Sequence, residues 1–226
     1  MRHGMRALRY NAATKTNRRH LMPRTQQLMI MLDLQDSMNT KVHPEWRSQQ
    51  FEFYRAIWIE CAELLEHYGW KWWKKQTPDT EQVALELIDI WHFGLSILLQ
   101  NSDDLDALAA DIDQQLNVTT DEPDFRLDLE AFAGATLADR QFHIGKFGRL
   151  MAGVDMSFED LYRGYVGKNV LNFFRQDHGY KDGSYRKHWQ DGREDNEHLV
   201  EVVRELDAGS PSFKDDLYQA LSARYQ

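Results

Sequence analysis

Val83-Ala84-Leu85-Glu86-Leu87-Ile88-Asp89-Ile90-Trp91-His92-Phe93-Gly94-Leu95-Ser96-Ile97-Leu98 is the stretch whose reading decides the fold. Val83, Leu87, Ile90, Trp91, Leu95 and Leu98 recur with helical period. Glu86 and Asp89, three apart, share one face of that helix. Carboxylates inside a strongly apolar segment are costly unless something neutralises them. One helix earlier the same spacing returns in Glu60-Cys61-Ala62-Glu63, again among apolar residues. Two such steps on facing helices make an oxygen-rich cage for a hard divalent cation, Mg2+ in the first place. A cation held that way usually serves a substrate phosphate. A lone Glu-x-x-Glu carries little weight, and two solvated helix edges remain an open alternative at this point.

The rest of the chain is helical in pattern almost throughout. A first helix runs from about Thr25 to Asn39, with Leu28, Met31, Leu32 and Met38 on one side. A long one is expected from about Pro44, a good first-turn residue, to His67 or Tyr68, with Gly69 as its stop. Thr77-Pro78 reads as the N-cap and first turn of the helix quoted above, which extends to about Gln100. A shorter acidic helix spans about Asp103 to Leu116, and residues 117–125, with Pro123, read as a loop. Another helix covers about Leu127 to Met151, weakened near Gly134 and Gly145. Ser157 opens a helix with Glu159 and Asp160 in its first turn that continues to about Asp177. Residues 178–194 read as a long functional loop. Helices from about Glu194 to Leu206 and Ser212 to Tyr225 finish the chain. The expected fold is all-α: a multi-helix bundle with the acidic steps on a central antiparallel helix pair, plus a helical insertion or mobile region.

A chain of 226 residues fits one large domain or a core with an insertion. The formal net charge of −9 argues against nucleic-acid binding, which needs a basic face. The single cysteine, Cys61, excludes a disulfide within the chain and suits a reducing cytoplasm. It reads as a buried small hydrophobe rather than a nucleophile. No apolar run approaches the length of a membrane span, so no membrane partner is expected. Residues 1–24 carry Arg2, Arg6, Arg9, Lys15, Arg18, Arg19 and Arg24 and no acid. They read as a disordered basic tail, or a start placed too early, rather than a transit peptide, because Ser is absent and no amphipathic stripe is clear. Residues 25–226 then form one domain: core helices to 101, a variable helical region over 102–155, and the helix, loop and C-terminal helices of 156–226.

Two further residue sets carry chemistry. Lys168, Asn172 and Arg175 share one helix face, and Tyr180 and Lys187 come from the loop that follows. A point charge, an amide and a planar fork of donors together suit a polyphosphate. A solvated basic face with Asp177, Asp182 and Asp191 interspersed remains open. The second set is aromatic and amide. Trp70, Trp72 and Trp73 lie beside Lys71, Lys74 and Lys75, Trp91-His92-Phe93 follows Asp89 closely, and Gln35 and Asn39 are four apart on the first helix. A base-sized slot needs a flat apolar wall and a few amide partners. For any single Trp, and for His92 alone, core packing is the blander alternative.

Taken together, these sets resemble the dimeric, all-α dUTPases within the wider all-α nucleoside-triphosphate pyrophosphatase superfamily. The resemblance extends from about Met29 to Leu199. It rests on Leu34-Gln35 with Asn39, Glu60-Cys61-Ala62-Glu63, Lys71-Trp72-Trp73-Lys74, Glu86-Leu87-Ile88-Asp89-Ile90-Trp91-His92-Phe93, the Lys168–Arg175 helix, Gly179-Tyr180-Lys181 and Glu194-Asp195-Asn196. It implies Glu60, Glu63, Glu86 and Asp89 as ligands of several Mg2+ ions. It implies Lys168, Asn172, Arg175, Tyr180 and Lys187 as the phosphate-binding set, and Gln35, Asn39, Trp72, His92 and Phe93 around uracil and deoxyribose. The implied activity is hydrolysis of dUTP, and often dUDP, to dUMP by a homodimer with a mobile, closing domain. Nothing in 102–155 is transferred from the resemblance.

The expected chemistry is attack of an activated water on phosphorus, with Glu60, or Glu63 close behind it, accepting the proton. Asn39 or Gln35 is the expected amide that tells uracil from cytosine, and Phe93 the wall against a 2′-hydroxyl. The nearest rival is a relative acting on dCTP or mixed deoxynucleotides. The rival from another class is a non-catalytic helical protein that binds a cation for structure.

Overall fold

The computed structural model describes residues 22–117 and 124–225, and among these the regular structure is helical, with one isolated bridge between His188 and Glu194 and no strand. The helices are α1 (Arg24–Val42), α2 (Phe53–Tyr68), α3 (Thr80–Gln100), α4 (Leu105–Leu116), α5 (Phe125–Asp139), α6 (Ile144–Ala152), α7 (Phe158–Asp177), α8 (Asp195–Glu205) and α9 (Phe213–Arg224). The all-α expectation holds.

α3 is the most deeply buried helix among the described residues. Val83, Leu87, Ile90, Trp91, Leu95 and Leu99 are each at most 1% exposed, and α1, α2 and α7 all pack on this helix. Its apolar face is wide, so it is the one helix among the described residues long and apolar enough to cross a membrane. That corrects the expectation that no such run exists. Two thirds of the span is buried within the protein.

Asp79 sets the register between α2 and α3. Its backbone N–H donates to the His67 carbonyl at 3.0 Å, and its carboxylate accepts from the Gln82 N–H at 3.2 Å as the N-cap of α3. α3 therefore starts at the end of α2 and runs back along it, which brings Glu86 level with Glu60 and Glu63. α7 begins with a capping box between Ser157 and Asp160. It approaches α3 closely at Gly164, where a Cβ would lie 2.4 Å from Ile88 Cδ1. That approach puts Lys168, one turn on, beside Asp89.

Three boundaries differ from the sequence reading. The helix expected from Pro44 starts only at Phe53. Trp46–Gln49 forms a short 3-10 helix, and Gln50 turns out of it at φ 54°. Tertiary contacts win there: Trp46 is 2% exposed, and Arg47 donates to the Leu99 carbonyl at 2.7 Å and to Asp36 at 3.1 Å. The cap of α3 is Asp79, not Thr77. The helix expected over 127–151 is two helices, and neither Gly134 nor Gly145 interrupts it. The break lies at 140–143, where Arg140 turns at φ 62° and Phe142 packs between Trp91, Phe132 and Phe147. The basic run 1–24 lies outside the described residues up to 21. Arg24 itself opens α1 and pairs with Asp113 at 3.0 Å. Part of the loop expected at 117–125 also falls outside, at 118–123.

Gly94 faces the Phe142 ring, and a Cβ there would lie 2.6–2.7 Å from three ring carbons. Gly94→Ala is expected to destabilise the fold by about 1–3 kcal/mol through overpacking. Denaturant unfolding checks this, and Phe142→Leu in the same chain should recover part of the loss.

Candidate active site

Glu60, Glu63 and Glu86 each offer a carboxylate oxygen, and the three oxygens lie within 4.8 Å of one another. Glu86 is 8% exposed, Glu60 is half-buried and Glu63 faces solvent. Asp89, one turn beyond Glu86, stands at the edge of this group and accepts a 2.6 Å bond from Lys168 Nζ. His67 Nε2 lies 3.5 Å from Glu86 on the other side. The helix pairing alone accounts for the cluster: Glu60 and Glu63 are one turn apart on α2, and Glu86 and Asp89 one turn apart on α3.

Two of these acids, Glu60 and Glu86, resist ionisation. Burial, a hydrogen bond to Glu86 and the charges of Asp89, Glu86 and Glu63 push the Glu60 carboxyl up to about 8. Burial also raises Glu86. The donors are all carboxylate oxygens, partly buried, from two rigid helices. That set fits a hard divalent ion and suits few other ligands. Cys61, between the two glutamates, points into the core at 4% exposure, and burial pushes its thiol up to about 12. It is no ligand.

The expected phosphate set is only partly assembled. Lys168 holds Asp89. Arg175 is spent on Asp195, a fully buried carboxylate, with Nε at 2.8 Å and Nη2 at 2.9 Å, while its Nη1 reaches Asn172 Oδ1 at 3.3 Å. Tyr185 also donates to Asp195 at 2.8 Å. Burial works against the Asp195 charge, but Arg175 and Tyr185 hold its carboxyl below the usual range. Tyr180 is exposed on the loop after α7, and Lys187 pairs with Glu194 at 3.0 Å. The loop is shaped at Gly179, at φ 89°, where a Cβ would collide with Ser184 Oγ at 1.9 Å.

The expected base and sugar set divides in two. Gln35, Asn39 and His92 meet in a polar network beside the acids. His92 Nδ1 lies 2.9 Å from Gln35 Oε1, and Gln35 Nε2 lies 3.0 Å from Asn39 Oδ1. Burial, helped by the Lys168 charge, lowers His92 to about 3, so the ring is neutral. Its Nε2 is buried without a partner. Phe93 stacks on Phe53 with ring centroids 6.4 Å apart. Trp72 is not brought to this group; it is 90% exposed on the loop between α2 and α3.

Ser96, Tyr165 and Asn169 were not anticipated. All three are fully buried in the same network. Tyr165 Oη lies 2.9 Å from Gln35 Oε1, and Ser96 Oγ accepts from Gln35 and Asn39. Ser96 alone carries a signal in the sequence, as a single polar residue in the apolar stretch four residues beyond His92.

Fold and site together define an all-α protein that presents a carboxylate cage beside a buried amide–imidazole network. A family model described as dUTPase matches residues 27–180, which span the cage, the network and the Lys168–Arg175 face. The chain belongs to the dUTPase family. Among curated proteins none matches it.

Two outcomes follow from this geometry. Mg2+ should raise the melting temperature by relieving the crowded charges. Glu60→Gln should raise the metal-free melting temperature at pH 8 and abolish most of the Mg2+ effect, as read by thermal melts with and without chelator. Asp195→Asn should cost about 3 kcal/mol at pH 7, by taking the charged partner from the partly buried Arg175. Because the folded Asp195 carboxyl titrates lower than the unfolded one, its stabilisation is complete above about pH 4 and fades as pH falls through the folded value. Unfolding curves should therefore converge for wild type and variant in acid.

Proposed function

We propose that the chain is a dUTP diphosphatase. It hydrolyses dUTP to dUMP and pyrophosphate, and dUDP to dUMP and phosphate, with two or more Mg2+ ions held by Glu60, Glu63, Glu86 and Asp89. The observation that carries this reading is the group of three carboxylates within 4.8 Å beside Lys168, in a chain of the dUTPase family. When bound, the ions lower the pKa of water and screen the phosphate charge.

The chain's own residues supply the rest. A Glu60 carboxylate oxygen accepts the proton of the attacking water, with Glu63 next to it. Lys168 Nζ, Arg175 Nη1 and Lys187 Nζ take up charge on the departing phosphate oxygens, which requires Lys168 to leave Asp89 and Lys187 to leave Glu194. Loss of one such contact slows turnover about a hundredfold. The Asn172 amide and the Tyr180 hydroxyl orient the phosphate chain. Gln35 is saturated by protein partners and serves behind Asn39 and His92, which meet the base. Phe93 walls off a 2′-hydroxyl. Trp72 reaches the base only when its loop folds inward.

The same reading carries a homodimer. Trp58, Ile59, Trp70, Trp72 and Trp73 are all exposed, more apolar surface than isolated surface residues account for.

Pyrophosphate release from dUTP, dCTP and dTTP, with and without Mg2+, tests the function. Release should be Mg2+-dependent and strongest for dUTP. Glu63→Gln and Asp89→Asn should each lower it about a hundredfold or more while helicity stays near wild type. Equal release from dCTP would mean a broader pyrophosphatase. Mg2+-dependent stability with no release from any nucleotide would mean a cation-binding protein without catalysis.

A further inference from the structure

The polar network behind the acid cage has a direction, and Ser96 sets it. The Ser96 hydroxyl has one hydrogen, and it is donated to the His92 carbonyl at 3.1 Å, one turn back along α3. Ser96 Oγ can then only accept, and it accepts from Gln35 Nε2 at 3.0 Å and from Asn39 Nδ2 at 2.9 Å. The Gln35 amide is thereby oriented, with Nε2 toward Ser96 and Oε1 toward Tyr165 and His92. Both Nε2 hydrogens are used, since Asn39 Oδ1 takes the second. Gln35 Oε1 is an acceptor, so the atom facing it at 2.9 Å, His92 Nδ1, must carry the ring proton. In a neutral imidazole the other nitrogen is then a bare lone pair. That atom, His92 Nε2, is buried and has no partner, in a residue 8% exposed. A buried acceptor without a donor is a stored penalty that a ligand N–H removes.

We propose that Ser96 is a positioning residue for base selection: through Gln35 it holds His92 in its Nδ1–H tautomer, so that Nε2 accepts the ring imide N–H of a uracil-type base. This rests on the dUTPase reading above. Cytosine has a bare nitrogen where uracil has that N–H, so it would face His92 lone pair to lone pair. Thymine keeps the N–H and is not sorted by this contact. Tyr165 flanks the arrangement from α7: its Oη, with one hydrogen, lies 2.9 Å from both Gln35 Oε1 and the Met31 carbonyl, so the His92 Nδ1–H is the donor that Gln35 Oε1 does not share, and its ring lies 4.2 Å from the imidazole.

The test is the tautomer itself, read by nitrogen NMR of the ligand-free, metal-free wild-type protein labelled at histidine. His92 should show a protonated Nδ1 and an unprotonated Nε2 at neutral pH. The opposite tautomer, or an even mixture, overturns the proposal without any variant. Ser96→Ala should shift His92 toward the Nε2–H form and lower the ratio of kcat/KM for dUTP over dCTP about tenfold or more. Ser96→Thr, which keeps the hydroxyl, should restore both. A Ser96→Ala protein that folds, keeps the wild-type tautomer and keeps its base preference also overturns it. Failure of the dUTPase reading is separate: the wild type would then show the predicted tautomer but no preference for dUTP.

Discussion

Like charges forced together by helix geometry are the constraint on which this structure turns. α2 and α3 are locked in register by the Asp79–His67 backbone bond, and that register leaves Glu60, Glu63 and Glu86 no way to avoid one another. Carboxylates in such a position are unfavourable for folding alone: burial first, then the hydrogen bond to Glu86 and the charges of the neighbouring acids, raise the Glu60 carboxyl. The remainder of the site can be read as the response to it. Lys168 arrives from α7 to meet Asp89, helped by the absence of a side chain at Gly164. Arg175, two turns on, is not part of that response, because Asp195 already neutralises it.

Cations and anions here are therefore distributed on two levels. Near the cage, Lys168 and Asp89 are partly exposed and their pairing can be exchanged for another partner. Further out, the partly buried Arg175 grips the fully buried Asp195 by two parallel hydrogen bonds. The second pair joins α7 to the start of α8 and fixes one end of the loop that carries Tyr180 and Lys187, while Arg175 Nη1 stays outside the Asp195 contact.

The helical character, the order of the helices and the acid cage were legible in the sequence, because each depends on spacing along one helix. Glu86 and Asp89 inside Val83–Leu98 announce both period and conflict. What the sequence did not disclose depends on partners distant in the chain. Phe142 breaks a helix by entering a ring cluster with Trp91, which cannot be seen from residues 127–151. Trp46 and Arg47 displace the start of α2 by binding Asp36 and the end of α3. In the site, Gln35, Asn39 and His92 were legible as polar groups on helical faces, whereas Ser96 and Tyr165 were not. Each is a common core residue until the groups across from it are known. Arg175 shows the converse case: its place on the face with Lys168 was legible, but its buried partner twenty residues later was not.

Cys61 brings a practical consequence. The chain has one thiol, shut in the core and held protonated to about pH 12, so alkylating reagents have no purchase on the native protein. A cysteine introduced on the segment bearing Tyr180 would be the only reactive handle on the molecule. A fluorophore or spin label attached there would report the loop's position without background.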